Sequence, residues 1–399
     1  MNYSVEWLFE EVYKLKQEKP EEKIHFISDW DIEREESKEF NNVLAAVYNK
    51  AGENSFKYNY SYEQFAIKEQ IIGYANKRYS LPILQTELSI TPSSTISIFL
   101  ILSGLKELGI KRILVITPTY FSVHDSLKKN NLNLFYFHLR DNKISFTELE
   151  RVIKEQFIEC IILTDPLYSS GIEFSTEDYL ALTKICQQND IYFIVDYSLG
   201  GLYWDSDKDL IFNSSKIAIL KTNKKYAYID SLPKRLLLNG IKFSLVIGDE
   251  NIIDQIDLLA EYVYGGLSSA QCYLIKELYT FDNELLISRM CQDNLKNIKE
   301  NFNLVQSALL GTDFIISQTN SGFFSMINHK YLKLSEINTR NFAISMLQDK
   351  NILCLTKDRF SYYGSSNFGF RINLSKRGDE LLFPISQCIG VNYERFQKR

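Results

Sequence analysis

In the run Asp230-Ser231-Leu232-Pro233-Lys234-Arg235-Leu236-Leu237-Leu238-Asn239-Gly240-Ile241-Lys242, one lysine sits among a serine, a glycine turn and a second cation. An amine is nucleophilic only when deprotonated, and apolar neighbours together with another positive charge push a lysine pKa down toward working pH. Lys234 can then hold a carbonyl compound covalently, as a Schiff base. A solvated amphipathic turn is the plainer account of the same residues. Upstream, the apolar run Ile191-Tyr192-Phe193-Ile194-Val195 ends at Asp196. An ionised carboxylate in that setting needs a partner, and a charged ligand accounts for it better than a solvated surface position. Downstream, Gly369-Phe370-Arg371-Ile372-Asn373-Leu374 places a guanidinium in an apolar, strand-like stretch. Arg371 therefore calls for an anion, a structural salt bridge being one way to supply it.

The elements that must position these groups follow from periodicity. From about residue 86 to 250, short apolar runs alternate with amphipathic helical ones, the pattern of βαβ units and a largely parallel sheet. Ile113-Leu114-Val115-Ile116 and Ile161-Ile162-Leu163 read as buried strands ending in Thr117-Pro118 and Asp165-Pro166, and strand ends in such sheets carry the ligands. Thr176 to Gln188 reads as a helix, with Ser175 as N-cap and Asp178 completing the capping arrangement. After about 285, a long helical stretch leads to Gly322-Phe323-Phe324-Ser325-Met326-Ile327, a helix near 335 to 349, and strands around Ile352 and Phe370. This predicts a separate α+β domain.

A chain of 399 residues suits one large domain and a smaller one. The net charge of −5, with Lys and Arg scattered, leaves no electrostatic footprint for nucleic acid. Six dispersed cysteines without Cys-x-x-Cys spacing fit reduced, buried thiols better than disulfides, and with four scattered histidines they suggest no metal site. Glu6, Glu10 and Glu11 make the N-terminus unlike a signal peptide, and no apolar run reaches membrane-spanning length. The expectation is a cytoplasmic protein with neither a membrane nor a nucleic acid as partner.

Taken in order from Tyr58 to Arg371, these motifs resemble class I/II aminotransferases, enzymes of fold type I that use pyridoxal 5′-phosphate (PLP). The resemblance implies an α/β large domain over 46–285, with a mainly parallel mixed sheet flanked by helices. It implies a smaller α+β domain made from 1–45 and 286–399. Ile90-Thr91-Pro92-Ser93-Ser94-Thr95-Ile96 is similar to the family's phosphate-binding turn at a helix start, where free N–H groups and hydroxyls face an anion; Ser93 or Ser94 as a simple N-cap is the alternative. Thr117-Pro118-Thr119-Tyr120 resembles the turn that stacks an aromatic ring on the cofactor, against the alternative of a core tyrosine at Tyr120.

Asp165-Pro166-Leu167-Tyr168-Ser169-Ser170-Gly171 resembles the family's Asn-Pro-x-Asn-Pro-x-Gly turn with both asparagines gone, so Tyr168 stands where a donor to the cofactor's phenolic oxygen is usual. Leu199 stands where a tyrosine is usual. The resemblance assigns Asp196 to the pyridine nitrogen, Lys234 to the Schiff base, Ser231 and Lys242 to the phosphate, and Arg371 to the substrate carboxylate. Either Tyr58 or Tyr60 would reach the phosphate of a neighbouring subunit, which implies a homodimer. The implied function is transfer of the amino group of a small amino acid. A lyase, decarboxylase or amino-acid oxidase on the same site, or an inactive PLP-binding protein, are the alternatives.

Overall fold

Continuous apolar runs in this chain become strands covered on both faces. The computed structural model describes residues 6–30, 37–52, 54, 57–60, 64–139, 142–204, 211–362 and 366–397. Residues 1–5 and 31–36, part of the segment assigned to the smaller domain, lie outside the described residues. After a short first strand, β1 (His25–Phe26), come β2 (Leu88–Thr91), β3 (Arg112–Thr117), β4 (Asn133–His138), β5 (Cys160–Thr164), β6 (Tyr192–Asp196), β7 (Tyr226–Asp230) and β8 (Ser244–Gly248). Strands β2 to β8 form one seven-stranded sheet in the order β2-β8-β7-β6-β5-β3-β4, with β8 alone reversed. Every residue of β5 to β8 is buried. Parallel strands with helices on both sides must be apolar at every position rather than at alternate ones. Accordingly, Ile113, Val115, Ile162 and Ile194 pack with the helices Ser94–Glu107 and Glu250–Val263, while Leu114, Ile116, Leu163 and Val195 face the larger core on the other side.

The predicted helix after Ser175 spans Thr176–Asn189, and Ser175 and Asp178 cap each other's backbone N–H as read from the sequence. The long helix is Phe281–Ala308. Beyond it, β9 (Phe314–Ile316), β10 (Phe324–Lys333) and β12 (Asn367–Asn373) form an antiparallel sheet in the order β12-β10-β9. Strand β11 (Ile352–Leu353) pairs in parallel with β1, joining the two ends of the chain. The helix expected near 335 starts later, at Thr339, because Asn338 takes the N-cap and Leu334–Glu336 forms a separate 3-10 turn.

Beside β5, a charged cluster is sealed into the large sheet's flank. Lys216 Nζ lies 2.6 Å from Asp165 Oδ2 and 2.7 Å from Glu173 Oε1, with the three side chains at most 7% exposed. Tyr179 donates to Asp165 at 2.6 Å, and Tyr197 donates to Glu173 at 2.5 Å. Removing one member of a buried ion cluster strands the others without water, a loss of about 3–5 kcal/mol. Lys216→Met should therefore lower the unfolding free energy by about that amount in urea titration. A loss below about 1 kcal/mol would show that water reaches these carboxylates in the native state.

Candidate active site

The loops that follow β2, β3, β5, β6 and β7 open on one edge of the sheet, because these strands run the same way. The reversed strand β8 begins at that edge, with Ser244 opposite Thr91 and Leu245 opposite Asp230. Ser93, Ser94, Thr95, Tyr120, Tyr168, Asp196, Ser231, Lys234 and Lys242 are all carried there by local chain direction.

Lys234 sits in a single helical turn, Leu232–Arg235, that follows β7. Its neighbour Arg235 anchors the turn: Nε donates to Gly200 O and Nη1 to Ile211 O, both at 2.7 Å, and Nη2 pairs with the Asp230 carboxylate. Gly201, at φ +87°, makes room for this, since a Cβ there would meet Arg235 Nε at 2.3 Å. With Arg235 drawn to one side, Lys234 points to the other, and its Nζ lies 3.9 Å from the centre of the Trp30 ring. Burial and then the positive charge of Lys242 lower the Lys234 pKa to about 8, with Arg371 adding to the fall and Asp196 opposing it.

Asp196 closes β6, buried, and its Oδ1 accepts from the backbone N and the hydroxyl of Ser198. Burial pushes its pKa up, the Ser198 bonds pull it back, and Lys234 is the cation that helps. No cation lies within salt-bridge distance of it among the described residues. Tyr120 precedes the helix Phe121–Lys129; its ring centre is 5.2 Å from that of Tyr168, and burial raises its hydroxyl's pKa. Ser93 is the N-cap of Ser94–Glu107, its Oγ accepting from Ile96 N at 3.3 Å. That satisfies the capping alternative for Ser93, while the first-turn amides of Ser94 and Thr95 have no acceptor within the helix. Ser231 Oγ donates to Phe243 O at 3.1 Å, so this hydroxyl's proton is engaged and its lone pairs are not. Lys242 is exposed at the mouth of the same edge.

Arg371, on β12, enters from the other sheet and is 1% exposed. Its Nη1 donates to Tyr168 Oη at 2.8 Å and its Nη2 to Ser28 O, whereas Nε is buried with no hydrogen-bond partner. Ring centres of Phe324, Phe360, Tyr168 and Trp30 lie 4.0, 4.9, 5.5 and 5.7 Å from its guanidinium carbon. Among the described residues, no carboxylate pairs with it, so the structural salt bridge considered from sequence is not formed. Asp165, one of the missing asparagines, turns away from this edge to Lys216 and Tyr179.

Tyr58 and Tyr60 are 62% and 42% exposed, with their rings 4.6 Å apart. The Tyr58 hydroxyl packs on Gly265, where a Cβ would come within 2.1 Å of it. Leu199 is a buried apolar residue. Sequence reasoning missed Trp30, the ring that touches both Lys234 and Arg371. Nothing in the spacing of Ile27-Ser28-Asp29-Trp30 announces it, since its partners Lys234 and Arg371 lie far along the chain.

Residues 32–381 match the family model for aminotransferase class I and II. The chain belongs to this family. An aspartate aminotransferase of Sulfolobus acidocaldarius is 19% identical over 340 residues, covering 81% of this chain and 78% of that protein. Among solved structures, a double mutant of Thermus thermophilus aspartate aminotransferase superposes with a TM-score of 0.79 at 12% identity, covering 97% of each chain. The aromatic aminotransferase of Pyrococcus horikoshii superposes with a TM-score of 0.78 at 12% identity, covering 97% of this chain and 99% of that one. The fold is thus that of PLP fold type I. Of the reaction types weighed from sequence, the family supports the aminotransferase over the lyase, decarboxylase, oxidase or inactive binder.

The site fits the family's cofactor on its own chemistry. Among the described residues, the positive charges of Lys242 and Arg371 act on Lys234 and one carboxylate, Asp196, opposes them, so these groups carry an excess of positive charge. A phosphate and a carboxylate would offset it. Because the Lys234 pKa is lowered from 10.5 to about 8, its amine becomes neutral well below the pH at which exposed lysines do. Labelling of Lys234 in cofactor-free protein by an amine-reactive reagent should therefore rise with a midpoint at about pH 8, read by peptide mapping. Lys242→Gln should move that midpoint up and Asp196→Asn should move it down. A Lys234 midpoint matching that of the exposed lysines would refute the electrostatic account.

Proposed function

We propose that this chain binds PLP on Lys234 and transfers the amino group of a carboxylate-bearing amino acid. The observation that carries this reading is Arg371, buried with its Nε unpartnered and, among the described residues, paired with no carboxylate, together with a lysine whose pKa is lowered to about 8. When bound, PLP supplies an aldehyde for the lysine amine and a ring that withdraws electrons from the substrate's reacting carbon. Lys234 Nζ is the amine that holds the cofactor and, once released, the base that carries a proton to and from the substrate Cα. A pKa of about 8 suits it to take and return that proton near neutral pH. Asp196 holds its negative charge against a protonated ring nitrogen, which would relieve the burial that now raises its pKa.

Arg371 orients the substrate carboxylate, and the surrounding rings exclude water and strengthen the pair. The first-turn amides of Ser94 and Thr95, with Ser231 and Lys242, receive the phosphate, and Tyr120 covers the ring. Tyr168 accepts from Arg371 through its oxygen, leaving its own proton to donate to the cofactor's phenolic oxygen. Exposed Tyr58 and Tyr60 support a homodimer in which one of them completes the partner's phosphate site. A division into 46–285 and 1–45 with 286–399 is supported by the β1–β11 pairing and by the separate sheet of β9, β10 and β12. A cytoplasmic setting is supported by six free cysteines, five of them buried. No described helix is long and apolar enough to cross a membrane.

Borohydride reduction and peptide mapping should leave the cofactor on Lys234; a label on Lys221, Lys224 or Lys225 instead would reject the assignment. Losing a desolvated charge-assisted pair costs about 2–5 kcal/mol, so Arg371→Ala should cut kcat/KM for amino acids about thirty-fold or more. Plain amines should be little affected, and equal losses for both would make the arginine structural. Tyr168→Phe should shift the pH midpoint of the bound cofactor's visible band upward at unchanged cofactor content, because a donor to the phenolic oxygen is lost. Superimposable titrations would place that hydroxyl elsewhere.

A further inference from the structure

The two carboxylate oxygens of Asp196 are treated differently by the chain. Oδ1 accepts from both the backbone N and the hydroxyl of Ser198, whereas Oδ2 has no hydrogen-bond partner among the described residues. An aspartate oxygen that accepts from the amide two residues on makes an Asx turn, which any residue at that position would allow. The Ser198 hydroxyl adds a second bond that only a serine or threonine supplies. Two donors from one residue on one oxygen restrain the rotation of the carboxylate and replace part of the hydration it lost on burial.

Ser198 is itself held from both sides. It is 6% exposed and lies in the turn Tyr197–Gly200, closed by Gly200 N donating to Tyr197 O at 2.9 Å. At one end of the turn, Tyr197 N donates to Ile229 O of β7 at 2.9 Å and the Tyr197 hydroxyl donates to Glu173. At the other end, Gly200 O accepts from Nε of Arg235, the residue after Lys234, at 2.7 Å. The turn that clamps Asp196 is thus pinned by the turn that carries Lys234. Among the described residues, Lys234 is the cation whose charge reaches Asp196, and the hydroxyls of Tyr120 and Tyr168 are the further titratable groups that feel it. Thr164 and Ile229, its neighbours on β5 and β7, bring no charge.

We infer that Ser198 is a positioning residue: its hydroxyl and amide hold Oδ1 so that Oδ2 is presented to the ring nitrogen of the bound cofactor. This rests on the roles of Lys234 and Asp196 given above. Lys234 changes partners during the reaction, whereas Ser198 stays in place.

Ser198→Ala removes the hydroxyl bond and keeps the backbone one. A hydrogen bond to a buried carboxylate favours its ionised form, so its loss raises the carboxyl pKa. In cofactor-free protein, Asp196 followed by difference infrared spectroscopy against Asp196→Asn should titrate about one pH unit or more higher in Ser198→Ala. Calorimetric titration of the cofactor-free protein with PLP should show the same variant binding about tenfold or more weakly. An analogue with C–H in place of the ring nitrogen cannot pair with Asp196, and its affinity should change less than about threefold. Ser198→Thr should restore both readings. Ser198→Cys, close to serine in volume but a weak donor, should follow Ser198→Ala at a melting temperature near that of the wild type. An unmoved Asp196 titration, or equal weakening of PLP and its analogue in Ser198→Ala and Ser198→Cys, would overturn the inference and leave Ser198 a turn residue. Borohydride mapping of the wild type separates the two failures. An unlabelled Lys234 rejects the proposed function and this inference with it, whereas a labelled Lys234 with an unmoved Asp196 titration rejects only the role of Ser198.

Discussion

A guanidinium taken out of water must be met by an anion or by enough carbonyl and hydroxyl oxygens to replace its hydration, and the penalty for failing is several kcal/mol. Arg371 is met only in part. One nitrogen has the Tyr168 hydroxyl, another the Ser28 carbonyl, and the third has no partner. To hold it there, the fold draws together the N-terminal strap at Ser28–Trp30, the loop after β5, strand β12 and the turn at Phe360. Thr119 N donates to Phe360 O at 3.1 Å, tying the loop after β3 to that turn as well. The two sheets share one hydrophobic core, and the site between them holds a guanidinium nitrogen with no partner.

The same chain shows what paired buried charge looks like. Arg235, next in sequence to Lys234, is just as buried as Arg371 but spends its fork on Asp230 and two carbonyls. Lys216 is matched by Asp165 and Glu173 under the rings of Tyr179 and Tyr197. These closed groups stabilise and orient their surroundings. Lys234, Asp196 and Arg371 are left open toward one another, with pKa values or hydrogen-bonding capacity still to be settled by what binds. The contrast between adjacent residues, Lys234 open and Arg235 closed, follows from a one-turn helix whose side chains diverge and from a glycine that admits only the second.

Much of this was written in the linear chain. Continuous apolar runs specified the strands because a sheet covered on both faces tolerates nothing else, and strand polarity then sent the residues after β2, β3, β5, β6 and β7 to one edge. The Ser175–Asp178 cap is local chemistry and was legible for that reason, as was the part of the Lys234 shift that comes from nearby Lys242. The motifs also carried the family, because their order along the chain reflects the order of strand ends. Tertiary structure alone decided which charges were closed. Asp165 and Asp196 both end apolar strands, yet one turns to Lys216 and the other toward Lys234, according to which helix covers each. It alone brought Trp30 across from the other end of the chain onto Lys234 and Arg371, since a side chain's distant neighbours are fixed by packing and leave no periodic trace in the sequence.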